Sequence, residues 1–144
     1  MYTVNQILHR KGDQVWSTHP EATVYEALQL MAEKDIGALL VLESGKLVGI
    51  FSERDYARKI VLLGRTSRET RVREIMTEKV FYIDPGQSTE ECMALMTNKR
   101  IRHLPVMDKE RVVGVISIGD VVKAIISNQE FVIEQLEHYI TGER

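Results

Sequence analysis

The chain has 144 residues and a mass of 16.5 kDa, with 44% hydrophobic and 28% charged residues and a formal charge of −2 from 19 basic and 21 acidic side chains. That length suits one globular unit or two very small ones. The near-neutral balance argues against a nucleic-acid binder driven by bulk charge. A single cysteine, Cys92, forbids an internal disulfide and points to a reducing compartment. No apolar run reaches the ~20 residues of a membrane span, and the start of the chain lacks a signal-peptide pattern. The expectation is a cytoplasmic protein with no membrane and no nucleic-acid partner.

A leader, Val4–Leu8, opens the chain. Gln14–Thr18 reads as a short strand ended by Pro20. Thr23 is a good helix N-cap, and Val24, Ala27, Leu28 and Met31 fall on one helical face. The helix fades near Asp35. Leu39–Leu42 and Leu47–Phe51 read as strands around the turn Glu43–Lys46, and Ser52 caps a helix to about Leu63. After a polar linker the order recurs: leader Val72–Met76, strand Val80–Ile83, helix Ser88–Asn98, strand Leu104–Met107, turn Asp108–Arg111, strand Val112–Ile116, and a helix from Ser117. The last helix is expected to run through Phe131, Ile133, Leu136 and Ile140 to Thr141-Gly142, with a mixed apolar stripe suited to a partner subunit.

The recurrence is a duplication. A shift of 65 residues lays Val15–Ile60 on Val80–Ile125 with 14 identities in 46 ungapped positions, among them Gly49/Gly114, Ser52/Ser117 and Asp55/Asp120. One copy alone would be marginal in size. The fold expected is therefore α/β (α+β): two pseudo-two-fold-related β-α-β-β-α units packed through their sheets, leaving paired clefts. The boundaries read as 1–64 for the first unit with its leader helix, 65–71 for the linker, 72–127 for the second unit and 128–144 for a helical extension.

Two segments carry chemistry. Gly49–Asp55 and Gly114–Asp120 each run from a strand end into a helix start. One reading is a capping box, Ser at N-cap with an acid three residues on. Such boxes prefer the longer Glu or Gln. An Asp at that place can instead turn outward to accept two vicinal hydroxyls of a ribose. First-turn amides and the Ser hydroxyl would then hold phosphate oxygens, with Arg54 as an added donor. The second segment, Lys99–Val106, puts Arg102 and His103 at the mouth of a strand where the first copy has Gly37 and Ala38. Trp16 reads as core or interface, with adenine stacking as the alternative. Cys92 reads as core. His9, His19 and His138 are too scattered for a metal site.

The paired Gly, apolar, any, Ser, any, any, Asp pattern, with Arg102-His103-Leu104-Pro105, resembles a tandem pair of CBS domains (the Bateman module, of the stand-alone two-CBS type). The resemblance implies a regulatory module that senses an adenosine ligand (AMP, ADP, ATP or NAD(H)) in the cleft between its units. Signalling would pass through the shape of a homodimer, a flat disk, or through an effector protein of unknown identity. An S-adenosylmethionine sensor and a ligand-free assembly module are the alternatives. The residues offer no nucleophile–base arrangement, no phosphate loop with Lys and no metal ligand set, so no catalysis, no catalytic cofactor and no metal are expected. By analogy, Asp55 and Ser52 would work with Arg54, Arg102, His103 and the backbone of Val80 to Tyr82, making the stronger anion site. Asp120 and Ser117 would work with Gly37, Ala38 and the backbone of Val15 to Ser17, weakened by Gly119 in the place of Arg54.

Overall fold

The computed structural model describes residues 2–141. In chain order it contains α1 (Val4–Lys11), β1 (Ser17–Thr18), α2 (Val24–Lys34), β2 (Ala38–Glu43), β3 (Lys46–Ser52), α3 (Glu53–Tyr56) running on as a π-helical turn (Ala57–Val61), α4 (Val72–Ile75), α5 (Thr89–Lys99), β4 (His103–Asp108), β5 (Arg111–Ser117) and α6 (Ile118–Thr141). The expected helix end at Gly142 and the side chain of Ile140 lie outside the described residues.

The chain divides into two compact units. A mid-chain unit spans Val15–Phe81, and a terminal unit joins the residues up to Gln14 with those from Tyr82 onward. Each leader therefore packs with the other copy's strands and helices, whereas the sequence grouped leader and copy by adjacency. The docking is equivalent in both units. In the terminal unit the Val4 and Asn5 amides donate to the Gln87 and Pro85 carbonyls at 2.8 and 2.9 Å, and Thr89 donates to Tyr2. In the mid-chain unit Val72 and Arg73 donate to Ala22 and Pro20 at 2.8 and 2.9 Å, and Val24 donates to Thr70. These are backbone bonds to matching loops. No side-chain preference in the sequence says which copy hosts which leader.

In the mid-chain unit β2 and β3 pair antiparallel, with β1 parallel to β2 through Ser17 beside Leu40 and Thr18 beside Val41. The turn residues Ser44 and Gly45 both take positive φ, the backbone that suits a tight hairpin. Val24, Ala27, Met31, Leu39, Val41, Phe51 and Ile60 form the core with Val72 and Ile75 of α4. In the terminal unit β4 and β5 repeat the hairpin. The strand expected over Val80–Ile83 reduces to one bridge, Ile83 to Val106. Pro105 supplies the reason. Its counterpart Leu40 donates its amide to Trp16, and proline has no N–H to give.

The middle helices begin at the expected cap Thr23 and at Ser88, which serves as N-cap and not as the first helical residue, and end on a left-handed residue, Asp35 (φ 54°) and Arg100 (φ 56°). Ile36 and Ile101 then donate back to Met31 and Met96, the closing bond of a Schellman turn. Trp16 packs against the mid-chain core with the Lys34 ammonium 4.4 Å from its ring centre. Cys92 is fully buried on α5, as expected, and burial pushes its thiol up to about 12. Among the described residues no group of three or more His, Cys, Asp or Glu could hold a metal ion, and no helix is long and apolar enough to cross a membrane.

Candidate functional site

The two strand-to-helix turns are built alike. The β3 hairpin ends at Ser52, whose extended backbone (φ −123°, ψ 165°) launches α3. The Asp55 amide donates to Ser52 Oγ at 3.2 Å, and the Ser52 amide donates to Asp55 Oδ2 at 2.9 Å. At the end of β5 the Asp120 amide donates to Ser117 Oγ at 3.2 Å, and the Ser117 amide to Asp120 Oδ2 at 2.8 Å. Both turns are thus reciprocal capping boxes. The expectation that the shorter Asp would turn away from its own backbone is corrected: Asp reaches the cap amide in both copies. The first helical amide of each turn is committed as well. Glu53 donates to the Gly37 carbonyl at 3.0 Å and Ile118 to the Arg102 carbonyl at 2.8 Å.

The remaining carboxylate contacts separate the turns. Asp55 is buried, with 7% of its surface exposed. Its Oδ1 accepts from the Thr77 hydroxyl at 3.1 Å and faces Lys59 Nζ at 3.0 Å. Lys59 also donates to the Ile75 carbonyl at the end of α4. Asp120 is more open, and its Oδ2 takes Lys11 Nζ of α1 at 2.7 Å. Lys11 also donates to the Val115 carbonyl at 2.8 Å. Burial works to raise the Asp120 carboxyl, but Lys11 and the Ser117 amide outweigh it and hold it below the usual carboxylate value.

Within each unit the hairpin register decides which candidate residues meet. Ala38 lies opposite Ser52, and His103 opposite Ser117. Gly37 and Ala38 therefore sit at the Asp55 turn, and Arg102 and His103 at the Asp120 turn. The family analogy had assigned them crosswise. His103 is half-buried. Burial, with the nearby Lys11 and Arg102 cations, lowers its pKa against the opposing pull of Asp120. Arg54 lies exposed on α3, Val15, Ser17 and Val80 belong to the mid-chain unit, and Tyr82 is exposed in the terminal unit.

Lys11, Lys59 and Thr77 are the partners the sequence reading missed. Lys59 was legible, because it stands four residues after Asp55 on one helix. Lys11 and Thr77 were not, since they arrive from leaders whose host unit is not encoded locally.

The signature glycines also gain a role. A Cβ on Gly49 would lie 2.7 Å from Met76 Sδ and 3.0 Å from the Thr77 carbonyl. One on Gly114 would lie 2.6 Å from Leu8 Cδ2. Each glycine lets a leader settle on the strand.

The CBS domain family matches residues 6–62 and 72–127. A putative signal-transduction protein with CBS domains from Burkholderia ambifaria superposes with a TM-score of 0.86 at 55% identity, over 89% of this chain and 96% of that one. The mitochondrial CBS domain-containing protein CBSX3 of Arabidopsis thaliana is 39% identical over 97% of this chain and 72% of its own length. The CBS domain pair of protein MJ0100, solved with 5′-methylthioadenosine and S-adenosylmethionine, shares the fold at 24% identity, with a TM-score of 0.77 over 89% of this chain and 98% of that one. With both copies matched and the duplicated turns built alike, the chain belongs to the CBS domain family as a tandem pair.

Proposed function

We propose that this CBS pair is a regulatory module that takes an adenosine nucleotide, AMP, ADP, ATP or NAD(H), and is not an enzyme. The observation that carries the reading is the duplicated turn itself. In both units an aspartate at a strand-to-helix junction is held beside a lysine, Asp55 with Lys59 and Asp120 with Lys11. A carboxylate accepts hydrogen bonds from sugar hydroxyls, and a neighbouring ammonium donates to phosphate oxygens. Arg54 is the further cation at the first turn, and Arg102 with His103 at the second. The remaining contacts proposed are backbone from Val15, Ser17, Gly37, Ala38, Val80 and Tyr82. Output passes through the shape of a homodimer or through a partner protein. Exposed apolar side chains that another chain would cover support this: Val61, Leu62 and Leu63 at and after the end of the π turn, and Ile126, Phe131, Ile133 and Leu136 along α6.

Thermal melts against AMP, ADP, ATP, NAD, NADH and S-adenosylmethionine test the reading. A ligand at 100 times its Kd adds about 2.7 kcal/mol of apparent stability. A shift with S-adenosylmethionine alone would move the ligand class to that sulfonium. No shift with any of them in a ligand-free preparation would favour a pure assembly module, a reading supported by the use the fold itself makes of both carboxylates.

A further inference from the structure

The two turns differ in how their carboxylates are occupied, and the difference bears on ligand choice. Asp120 Oδ2 receives both the Ser117 amide and the Lys11 ammonium. A ligand that presents two vicinal hydroxyls needs both carboxylate oxygens, so Lys11 stands where the second hydroxyl would bind. Lys11 has an exposed neighbourhood, with about a third of its side chain open to solvent. It also comes from α1, not from the helix that carries Asp120. Lys59, by contrast, is tied to the same helix as Asp55 and to the Ile75 carbonyl.

Three of the amides at this turn are already used, which shifts phosphate recognition toward side chains. The amides of Ser117, Ile118 and Asp120 all have protein acceptors. Gly119 brings no side chain where the other copy has Arg54, and Ala124 stands where the other copy has Lys59. Lys11 is the cation placed on the carboxylate itself.

We propose that Lys11 is the specificity-determining residue of the Asp120 site, transferring its ammonium from the carboxylate to the ligand's phosphate so that the site selects phosphorylated adenosine over adenosine. A neutral nucleoside must strip the ammonium from Asp120 and gives it no acceptor in return. A nucleotide supplies one, and the freed Oδ2 then takes a ribose hydroxyl. The inference rests on the adenosine-nucleotide reading above.

The test is a titration of the full chain with AMP and with adenosine, followed at the amide resonances of Gly119 and Val121, which report this turn alone. The wild-type chain should prefer AMP by more than about tenfold, equivalent to 1.4 kcal/mol. Lys11→Gln keeps a donor for the Val115 carbonyl but removes the charge. It should bring the two affinities within about threefold, mainly by weakening AMP, and should reduce the salt dependence of the preference. Lys11→Arg should restore the preference. If AMP binds and its preference survives in Lys11→Gln, the role of Lys11 falls while the nucleotide reading stands. If neither ligand moves the wild-type resonances, the nucleotide reading of this site falls and takes the inference with it.

Discussion

The Asp55 and Asp120 turns share a sequence pattern and a capping geometry, yet they are closed by different means. In the mid-chain unit the leader helix α4 is short, and the chain leaves it extended. Thr77 then pairs with Ile50 through two backbone bonds of 2.9 and 3.0 Å, and its hydroxyl lands on Asp55. In the terminal unit α1 runs on to Lys11, and among the described residues no leader backbone bridges Val115, the counterpart of Ile50. The Lys11 ammonium takes that carbonyl and the Asp120 carboxylate instead. One turn is closed by main chain and the other by a single flexible side chain. A duplicated motif therefore does not guarantee a duplicated environment, because the segment that completes it comes from elsewhere in the chain.

The largest effect should come from Gly49, the glycine under the second leader. Gly49→Ala meets the Thr77 carbonyl, which is locked into its bridge, as well as Met76. Gly114→Ala meets only the Leu8 side chain, which can change rotamer. Overpacking of this kind costs about 1–3 kcal/mol, and Gly49→Ala should lie at the upper end and Gly114→Ala at the lower. Urea unfolding of both variants measures it. Equal losses would mean that the backbone bridge is no stiffer than the leucine.

The aspartates come next. Asp55→Ala should cost stability as well as any ligand affinity, because Asp55 completes the capping box from N3 and pairs with Lys59 and Thr77. Loss of an N-terminal cap costs ~1 kcal/mol, and stranding the partners of a buried carboxylate adds ~1–2 kcal/mol. Asp120→Ala should cost about half as much, since Lys11 can turn to solvent. Chemical denaturation gives both numbers. A larger loss at Asp120 would reverse the ranking of the two turns.

Much of this was legible. The 65-residue register placed every hairpin and both middle helices within a residue or two, because apolar periodicity and the caps Thr23, Ser52, Ser88 and Ser117 agree locally. Three features were not. Proline's missing amide at position 105 removed a strand that the apolar run Val80–Ile83 implied. The helix expected from Ser52 to Leu63 changes to a π turn at Ala57, which no residue preference announces. The leaders dock through backbone bonds, so the partners they deliver, Lys11 and Thr77, carry no local signal. The spacing of Ser52 with Asp55 and of Ser117 with Asp120 promised the caps that the structure holds, and the ligand role suggested by their duplication is the one proposed above.

The smallest expected effect is a pH dependence confined to one unit. His103 stands where the mid-chain unit has Ala38. Its folded pKa is lowered from the ordinary 6.5, chiefly by burial. Between the lowered value and 6.5 the unfolded chain binds a proton that the folded chain refuses, so stability falls as pH drops through that window. Asp120, held below 3.8, adds its own loss only near and below that value. Between about pH 6.5 and 4, His103 acts without it. Cys92 reports the terminal unit specifically, because its counterpart in the mid-chain unit is Ala27. Its buried thiol reacts only when the unit opens. Labelling with a disulfide reagent active in acid, normalised at each pH to the unfolded chain, should show protection falling below pH 6.5 in the wild type and staying flat in His103→Ala. Equal slopes in the two proteins would assign the acid sensitivity to other groups and leave the two turns alike in their response to protons.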